Sequence, residues 1–370
     1  MPYLLFRFDA SSEIGLGHAF RCAALIEHIN NYFSKDSLKC VVISKVLPAF
    51  LQKKLAGIGA DIILFNDSLS ISAELEKIST IAKNLPSTML ILDGYQFDQY
   101  YRQKLAFLNN KSLKIAAFDD TNDHEKLYCH LVINALPDGK KLGYQYSAPV
   151  ARHLLGLSYS IVRQEYLHQK LTTFTERNLV VINFGGSDVG GLTLPVMKGV
   201  TEVLRANNLD YSTKDIVVIT GGGCQNIEKI QLYCQKAGFR HVHQCENMAE
   251  ILSQSRLAIC APGAIVYELA YCQVPSIFLT VADNQLLSAK AHQEAGWSYV
   301  FDGRSESGMI LALNKLSTLW RDHQQLEKMS AIAEHLVDGK GVTRIVGALL
   351  NTLHQRNIIN KALNKKEEIR

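Results

Sequence analysis

The sequence predicts two doubly wound α/β domains that face each other across a cleft. Short apolar strands alternate with helical segments over roughly the first 134 residues, and the same alternation restarts near residue 179 after an interval rich in glycine and proline. Several strands also run directly into glycine turns, which is typical of the carboxyl ends of parallel strands, where such sheets bind ligands. A chain of 370 residues has the length for two such domains.

Each half of the chain is assigned elements by its hydrophobic periodicity. In the first half we expect strands at 3–8, 40–44, 61–65, 88–93, 114–119 and 131–134, with helices at 19–33, 48–58, 70–84 and 97–108. In the second half we expect strands at 179–184, 215–220, 241–243, 257–260 and 276–279, and only helices after residue 284. The domains are then 1–160 and 161–345, followed by a C-terminal helix at 346–370 that can return to the first domain.

Composition excludes several functional classes. The net charge of +4 is small for this length, and the chain has no long basic block before its tail, so we expect no nucleic-acid partner. None of the eight cysteines forms a CxxC pair, which argues against a zinc ribbon and favours a reducing compartment. Arg7 and Asp9 interrupt the N-terminal apolar run, unlike a signal peptide. We expect a cytoplasmic protein without a membrane segment, and the sequence is compatible with a monomer.

The stretch from Ala258 to Gln285 reads as strand, turn, helix and strand, because Pro262, Gly263 and Pro275 exclude a membrane span. Free N–H groups where such a helix begins can hold a phosphate. Glu268, one helical turn further on, could accept a hydrogen bond from a sugar hydroxyl, or it could lie on the solvent face of an ordinary core helix. Asn284 and Gln285 follow the next strand and suit a sugar or phosphate ligand.

In the first half, His18 follows Gly15 and Gly17 at a strand-to-helix junction. A helix N-terminus disfavours a cation, so it favours the neutral imidazole that a general base requires, although His18 could simply cap its own helix. The pattern lacks the third glycine of a dinucleotide fingerprint, so we expect no NAD. Asp93 and Tyr95 end a buried strand. Asp119-Asp120 and the paired His241 and His243 could ligate a metal, but we favour a turn for the former and expect no metal at the latter.

Taken in order, these segments resemble the UDP-2,4-diacetamido-2,4,6-trideoxy-β-L-altropyranose hydrolases of pseudaminic acid biosynthesis and the related spore-coat polysaccharide proteins. The resemblance spans residues 3 to about 300. It is carried by Asp9, Ile14-Gly-Leu-Gly-His18, Arg21-Cys22, Leu92-Asp-Gly-Tyr95, Asp119-Asp120, His153 to Tyr166, Phe184-Gly-Gly-Ser-Asp188, the Glu268 helix and Ala282-Asp-Asn-Gln285.

The resemblance implies a glycosyltransferase-B-like fold and a hydrolase that splits a UDP-sugar into free sugar and UDP, with no metal and no cofactor. It implies His18 as the base that activates water and Tyr95 as an assisting residue. The remaining site residues that it implies are Gly15, Gly17, Arg21 and Asp93 for the sugar, and Gly185, Gly186, Ser187, Gly263, Ala264, Ile265, Glu268, Asn284 and Gln285 for the nucleotide. One alternative is a glycosyltransferase of the same fold that uses an acceptor other than water, and a second is a protein that binds a nucleotide sugar without turning it over.

The chain departs from the resembled pattern before Glu268. The family usually has Ala-Gly-Gly-x-Thr there, whereas this chain has Ala-Pro-Gly-Ala-Ile at 261–265. Pro262 removes a backbone N–H, and Ile265 removes a hydroxyl that could touch phosphate. A glycine that is usual before Val274 is replaced by Gln273. We expect these changes to affect the diphosphate contacts and not the fold.

Overall fold

The computed structural model describes residues 2–11, 13–33, 37–108, 113–207 and 212–353. The chain forms two compact units. One unit comprises the residues up to Ile161 together with the segment that begins at Lys340, and the other runs from Val162 to Gly339. Among the described residues, none of the helices is both long enough and apolar enough to cross a membrane.

The first unit is built on a parallel sheet. Its strands are β1 (Tyr3–Arg7), β2 (Lys39–Ser44), β3 (Asp61–Leu64), β4 (Thr88–Leu92), β5 (Lys114–Phe118), β6 (Leu131–Asn134) and β7 (Arg152–Leu155). Its helices before residue 161 are α1 (Gly17–Tyr32), α2 (Ala49–Gly57), α3 (Ile71–Lys83), α4 (Gln99–Leu108) and the single turn α5 (Tyr144–Ser147). In the described residues the strand order is β3-β2-β1-β4-β5-β6-β7.

Both faces of this sheet are covered, because apolar side chains point alternately to either side of each strand. Leu4 and Phe6 of β1 belong to one hydrophobic cluster with α1 and α2, whereas Leu5 belongs to a second cluster with α3 and α4. All three side chains are fully buried. The continuous apolar run of β1 is therefore the pattern of a central parallel strand.

The second unit repeats this architecture. Its elements are α6 (Gln164–Leu167), β8 (Leu179–Asn183), α7 (Thr193–Ala206), β9 (Ile216–Thr220), α8 (Ile227–Ala237), β10 (Arg240–His243), α9 (Met248–Ser253), β11 (Ser255–Cys260), α10 (Ile265–Tyr271), β12 (Ser276–Thr280), α11 (Leu286–Glu294), β13 (Ser298–Asp302), α12 (Glu306–Arg321) and α13 (His323–Glu334). In the described residues the strand order is β10-β9-β8-β11-β12-β13, with parallel pairing. Two parallel-sheet α/β units confirm the predicted fold class.

Two strands were not expected from the sequence. β7 lies in the segment that lacks a clear pattern, and it is an edge strand of only four residues. β13 lies where only helices are predicted, and it forms the other sheet's edge against β12. Edge strands are half exposed, so their sequences need not carry a continuous apolar run.

The chain returns to the first unit at its far end. Residues 341–353 are helical (α14), and Val342, Ile345 and Leu349 are buried in the same cluster as Leu4 and Phe6. Residues 354–370 of the C-terminal helix predicted at 346–370 lie outside the described residues.

Candidate active site

Each sheet reverses its strand order at one place. In the first unit the chain moves outward from β1 through β2 to β3 and then restarts on the other side at β4, and the same reversal occurs between β8 and β11 in the second unit. Ligands in doubly wound sheets bind beside the carboxyl ends of the strands at such a reversal. His18 follows β1 and Asp93 follows β4, so the sequence-predicted residues of the first unit lie at its reversal.

The loop after β1 delivers His18 to this position. Gly15 has φ +88°, a left-handed conformation that glycine adopts without strain, and its N–H donates to the carbonyl of Ser11 at 2.9 Å. Gly17 begins α1, and a Cβ added to it would meet nothing within 4 Å. Gly15 is therefore required by backbone conformation, whereas the free chain shows no steric requirement for glycine at 17.

His18 pairs with Asp93 through its Nδ1, which lies 2.6 Å from Oδ1 of the carboxylate. Asp93 is fully buried, and burial by itself raises the pKa of its carboxyl. The charges of Arg21 and His18 and their hydrogen bonds outweigh burial, so the pKa of Asp93 lies below its ordinary value. An ionised carboxylate only accepts hydrogen bonds, so Nδ1 carries the proton and Nε2 is left as the basic nitrogen.

Arg21 links two carboxylates. Its Nε donates to Oδ2 of Asp93 at 2.9 Å and its Nη2 donates to Oδ1, while its Nη1 donates to Oδ1 of Asp120 at 3.0 Å. The guanidinium also lies over the ring of Phe118, 4.5 Å from its centroid. Burial lowers the pKa of Arg21, but the two carboxylates more than compensate and raise it above its ordinary value.

Tyr95 contacts both Asp120 and His18. Its hydroxyl donates to Oδ2 of Asp120 at 3.3 Å, and its ring meets the imidazole of His18 edge to face with centroids 5.1 Å apart. Gly94, which precedes it, has φ +154° and allows the chain to turn after β4. His18, Asp93, Arg21, Asp120 and Tyr95 thus form one connected cluster.

A small pocket opens beside this cluster. It encloses about 310 Å³, a volume that includes its opening to solvent. His18 and Tyr95 line it together with Arg21, Asp93, Gly94, Arg102, Phe118, Asp119, Asp120, Thr121, Asp123 and His124. Tyr95 is 47% exposed, so a ligand in the pocket can reach its ring.

Asp119, Asp123 and His124 are close enough to share a cation, with one ligand atom from each lying within 4.8 Å of the others. The same residues also serve the turn that the sequence predicts, because Oδ1 of Asp119 accepts from the N–H of Asn122 at 2.7 Å. The guanidinium of Arg102 lies 3.9 Å from Oδ2 of Asp119, and its positive charge opposes a cation there.

In the second unit, the turn after β8 packs on the turn after β9. Gly185 has φ +80°. The N–H of Gly223 donates to the carbonyl of Gly186 at 2.9 Å, and a Cβ on Gly221 would come within 2.5 Å of the Gly186 backbone. No described residue accepts a hydrogen bond from the N–H of Gly186 or Ser187. These two amides can therefore donate to a ligand.

Asp188 closes the N-terminus of the following helix. Its carboxylate accepts from the N–H groups of Leu192 at 2.9 Å and Thr193 at 3.1 Å, at the start of α7. This helix end already holds an anion, so a phosphate at the 185–188 turn would be bound by turn amides and not by α7.

The turn before α10 offers further donors. Gly263 and Ala264 are exposed, and a Cβ on Gly263 would meet nothing within 4 Å. The N–H of Gly263 is used by the carbonyl of Ala261 at 2.9 Å, whereas no described residue accepts from that of Ala264 or Ile265. Ala261 also donates to the carbonyl of Asn183, which places this turn next to the turn after β8.

Glu268 is held by an arginine. Nε of Arg163 donates to Oε1 of Glu268, and Nη2 donates to Oε2 at 2.9 Å, so the ion pair is bidentate. Glu268 is 6% exposed. It is not the solvent-facing residue of the alternative interpretation. A ligand hydroxyl could donate a hydrogen bond to Glu268 only at the carboxylate lone pairs that Arg163 does not occupy.

Asn284 and Gln285 lie in a short 3-10 segment before α11. The side chain of Gln285 accepts from the N–H of Val281 at 2.9 Å and so holds the turn itself. The carboxylate of the preceding residue, Asp283, pairs with Arg304 at 2.6 Å.

Three features of the site escape sequence reasoning. Asp93 is predicted to bind substrate; in the structure it is fully buried, and its two oxygens accept hydrogen bonds from His18 and Arg21, pairings that the sequence does not predict. Asp120 and Arg163 are not predicted as site residues. Their only sequence signal is their place in the ordered motifs, because pairs separated by 99 and 105 residues have no local pattern.

No protein-family model matches the chain. A UDP-2,4-diacetamido-2,4,6-trideoxy-β-L-altropyranose hydrolase of Campylobacter jejuni is 25% identical over 72% of this chain and 86% of its own length. A pseudaminic acid cytidylyltransferase and UDP-2,4-diacetamido-2,4,6-trideoxy-β-L-altropyranose hydrolase of Helicobacter pylori is 23% identical over 92% of this chain. The spore coat polysaccharide biosynthesis protein SpsG of Bacillus subtilis is 22% identical over 95% of this chain and 98% of its own length.

The chain spans about half the length of some of these relatives. The match covers 54% of the Helicobacter pylori protein and also 54% of an uncharacterized protein of Methanocaldococcus jannaschii.

Solved structures share the fold at low identity. Acinetobacter baumannii MurG superposes with a TM-score of 0.62 and 15% identity, over 95% of this chain and 99% of that one. The UDP-GlcNAc 2-epimerase of Neisseria meningitidis, bound to UDP-GlcNAc, gives 0.63 and 14%, over 95% and 100%. The chain thus has the fold of these structures, and the predicted sequence similarity to the altropyranose hydrolases and to SpsG is confirmed.

Proposed function

We propose that this protein hydrolyses the anomeric sugar–UDP bond of an amino-deoxy UDP-sugar, UDP-2,4-diacetamido-2,4,6-trideoxy-L-altrose, in pseudaminic acid biosynthesis. The observation that carries the proposal is the hydrogen bond from Nδ1 of His18 to the buried carboxylate of Asp93. It leaves Nε2 as a base on a residue that lines the pocket. The names of the Campylobacter jejuni and Helicobacter pylori relatives support the substrate.

In the proposed reaction Nε2 of His18 takes a proton from water, and the water oxygen attacks the anomeric carbon. The bond from that carbon to the diphosphate oxygen breaks, and UDP leaves with the bonding electrons. His18 becomes an imidazolium, which the charge of Asp93 stabilises, and Asp93 also holds the ring in place. Tyr95 packs against the imidazole and would face the bound sugar.

The second unit would bind the nucleotide. The amides of Gly186, Ser187, Ala264 and Ile265 would donate to the diphosphate and stabilise its charge as it departs. Glu268 would accept from the ribose hydroxyls, and Asn284 would contact the nucleotide near Gln285. These donors come from backbone, so the Pro262 and Ile265 substitutions leave part of the predicted phosphate contact in place.

The test is to incubate the purified protein with the UDP-linked diacetamido sugar and follow UDP and free sugar by NMR, with chelator present and no acceptor. We expect both products, and we expect His18→Asn to abolish release while UDP still binds. Full UDP release by His18→Asn would overturn the proposal. Release that requires an added acceptor would instead favour a glycosyltransferase, an activity found among structures of this fold.

A further inference from the structure

In the described part of the first unit, the partners of each buried ion pair lie within hydrogen-bonding distance of each other, with one exception. Arg7 lies 2.7 Å from Asp9 and 2.8 Å from Glu74, and Lys45 lies 2.9 Å from Glu74. Arg102 and Asp119, both nearly inaccessible to solvent, are instead 3.9 Å apart at their closest, too far for a hydrogen bond. Arg102 and Asp119 line the pocket beside His18, together with the ion-paired residues Arg21, Asp93 and Asp120.

Both partners retain unused hydrogen-bonding capacity. Nε of Arg102 donates to the carbonyl of Phe97 at 2.7 Å, but its Nη1 is buried and has no hydrogen-bond partner among the described residues. Oδ1 of Asp119 accepts from Asn122 and from the hydroxyl of Tyr144, whereas no described residue donates a hydrogen bond to Oδ2. Buried donors in folded proteins are nearly always paired with protein or with ordered water, so we expect either a water molecule or a group of a bound ligand at Nη1.

The charged residues that line the pocket indicate which kind of ligand group can bind there. Four carboxylates and two guanidiniums line it, and both guanidiniums lie beside carboxylates, so an anionic group is disfavoured. A donor next to an acceptor matches a group that both accepts and donates, such as a hydroxyl or the amide of an acylated amine.

We propose that Arg102 and Asp119 form a subsite for an uncharged hydroxyl or amide substituent of the sugar that is placed at His18. The group accepts a hydrogen bond from Arg102 and donates one to Oδ2 of Asp119, so it bridges the two side chains. This proposal rests on the proposed function, because it takes the sugar to lie in this pocket.

The test compares Arg102→Lys and Asp119→Asn with the unaltered protein in hydrolysis of the UDP-diacetamido sugar and in binding of UDP alone. We expect KM for the sugar nucleotide to rise about tenfold or more in each variant, because a hydrogen bond to a charged group is lost. We expect Kd for UDP to change less than about twofold, since both residues lie outside the nucleotide unit. Arg7→Lys is the matched control: it alters an equally buried arginine away from the pocket, and it should lower the unfolding midpoint without changing KM.

Unchanged KM in folded Arg102→Lys and Asp119→Asn would mean that water fills the gap, and it would overturn the subsite. An equal rise in Kd for UDP would overturn it as well, since the effect would not depend on the sugar. If the unaltered protein releases no UDP, the proposed hydrolysis fails separately. Calorimetry then decides on the subsite, which stands only if the variants weaken binding of the UDP-sugar and not of UDP.

Discussion

Replacing Asp93 by asparagine tests whether this buried carboxylate sets the tautomer of His18. Oδ1 accepts from His18 and Arg21, and Oδ2 accepts from Arg21 and from the thiol of Cys22 at 3.5 Å. In either orientation of the new amide, its NH₂ group faces an N–H of Arg21. In one of them it also faces Nδ1, which then must accept, so that Nε2 carries the proton and cannot act as a base.

The expected loss in kcat for Asp93→Asn is about 10³- to 10⁴-fold, the scale seen when an aspartate that orients a catalytic histidine is made neutral. The expected loss of stability is about 3 kcal/mol, at the low end for a broken buried pair because Arg21 retains Asp120. Kd for UDP should not change. The assays are steady-state kinetics of UDP release, calorimetry with UDP and urea unfolding.

The stability loss should depend on pH. The pKa of Asp93 is lower in the folded protein than its ordinary value, so the stability it contributes is present above about pH 4 and is lost as the pH falls below that. The difference in the free energy of unfolding between the unaltered protein and Asp93→Asn should therefore become smaller at acidic pH.

Asp9→Asn is the matched control for Asp93→Asn. Asp9 is also buried, follows β1 and pairs with Arg7, but it does not line the pocket. Asp9→Asn should lower the free energy of unfolding and leave kcat unchanged. Asp93→Asn with full kcat, or Asp9→Asn with an equal loss in kcat, would refute the reasoning.

Three further predictions concern the second unit. Gln273 has φ +58°, a left-handed conformation that strains any residue but glycine. Gln273→Gly should relieve this strain but also make the unfolded chain more flexible, so the free energy of unfolding measured in urea should rise by only about 0.5 kcal/mol. A fall in that free energy would contradict the prediction. His292 is fully buried, neither of its ring nitrogens is hydrogen-bonded to a described residue, and burial lowers its pKa to about 4. The free energy of unfolding should therefore fall by about 3 kcal/mol between pH 6.5 and pH 4, because the unfolded state takes up the proton first. His292→Phe should remove that part of the pH dependence. If the carboxylate of Glu268 accepts a hydrogen bond from the ribose, Glu268→Gln should weaken UDP binding about tenfold and 2′-deoxy-UDP binding much less, as measured by calorimetry. Equal losses of affinity for the two ligands would mean that Glu268 only holds Arg163 in place.

The sequence predicts the fold well because the two halves repeat one simple pattern. Apolar strands such as β1 and β8 end at glycine turns, and the interruption of the Ala258–Gln285 stretch by proline and glycine predicts the helix that the structure contains as α10. β7 and β13 are missed because edge strands carry weak patterns.

Pairings within the candidate site are harder to predict, because they join residues far apart in the chain. The sequence places His18 and Asp93 each at a strand end, but not in contact, since the order of strands in the sheet decides which ends are neighbours. It also cannot show that Arg163 occupies both oxygens of Glu268, or that the pair of Arg102 and Asp119 stays open. The glycine usual at 273 has a physical reason in the left-handed φ there.

The return of α14 to the first unit has a consequence for synthesis on the ribosome. The second unit is one continuous stretch, from Val162 to Gly339, and its segments are all available before the last part of the chain is made. The core around Leu4 and Phe6 needs Val342, Ile345 and Leu349, which are translated more than 330 residues later. The half of the protein that is made first is therefore the half that finishes folding last, and until then it exposes the apolar surface that α14 will cover.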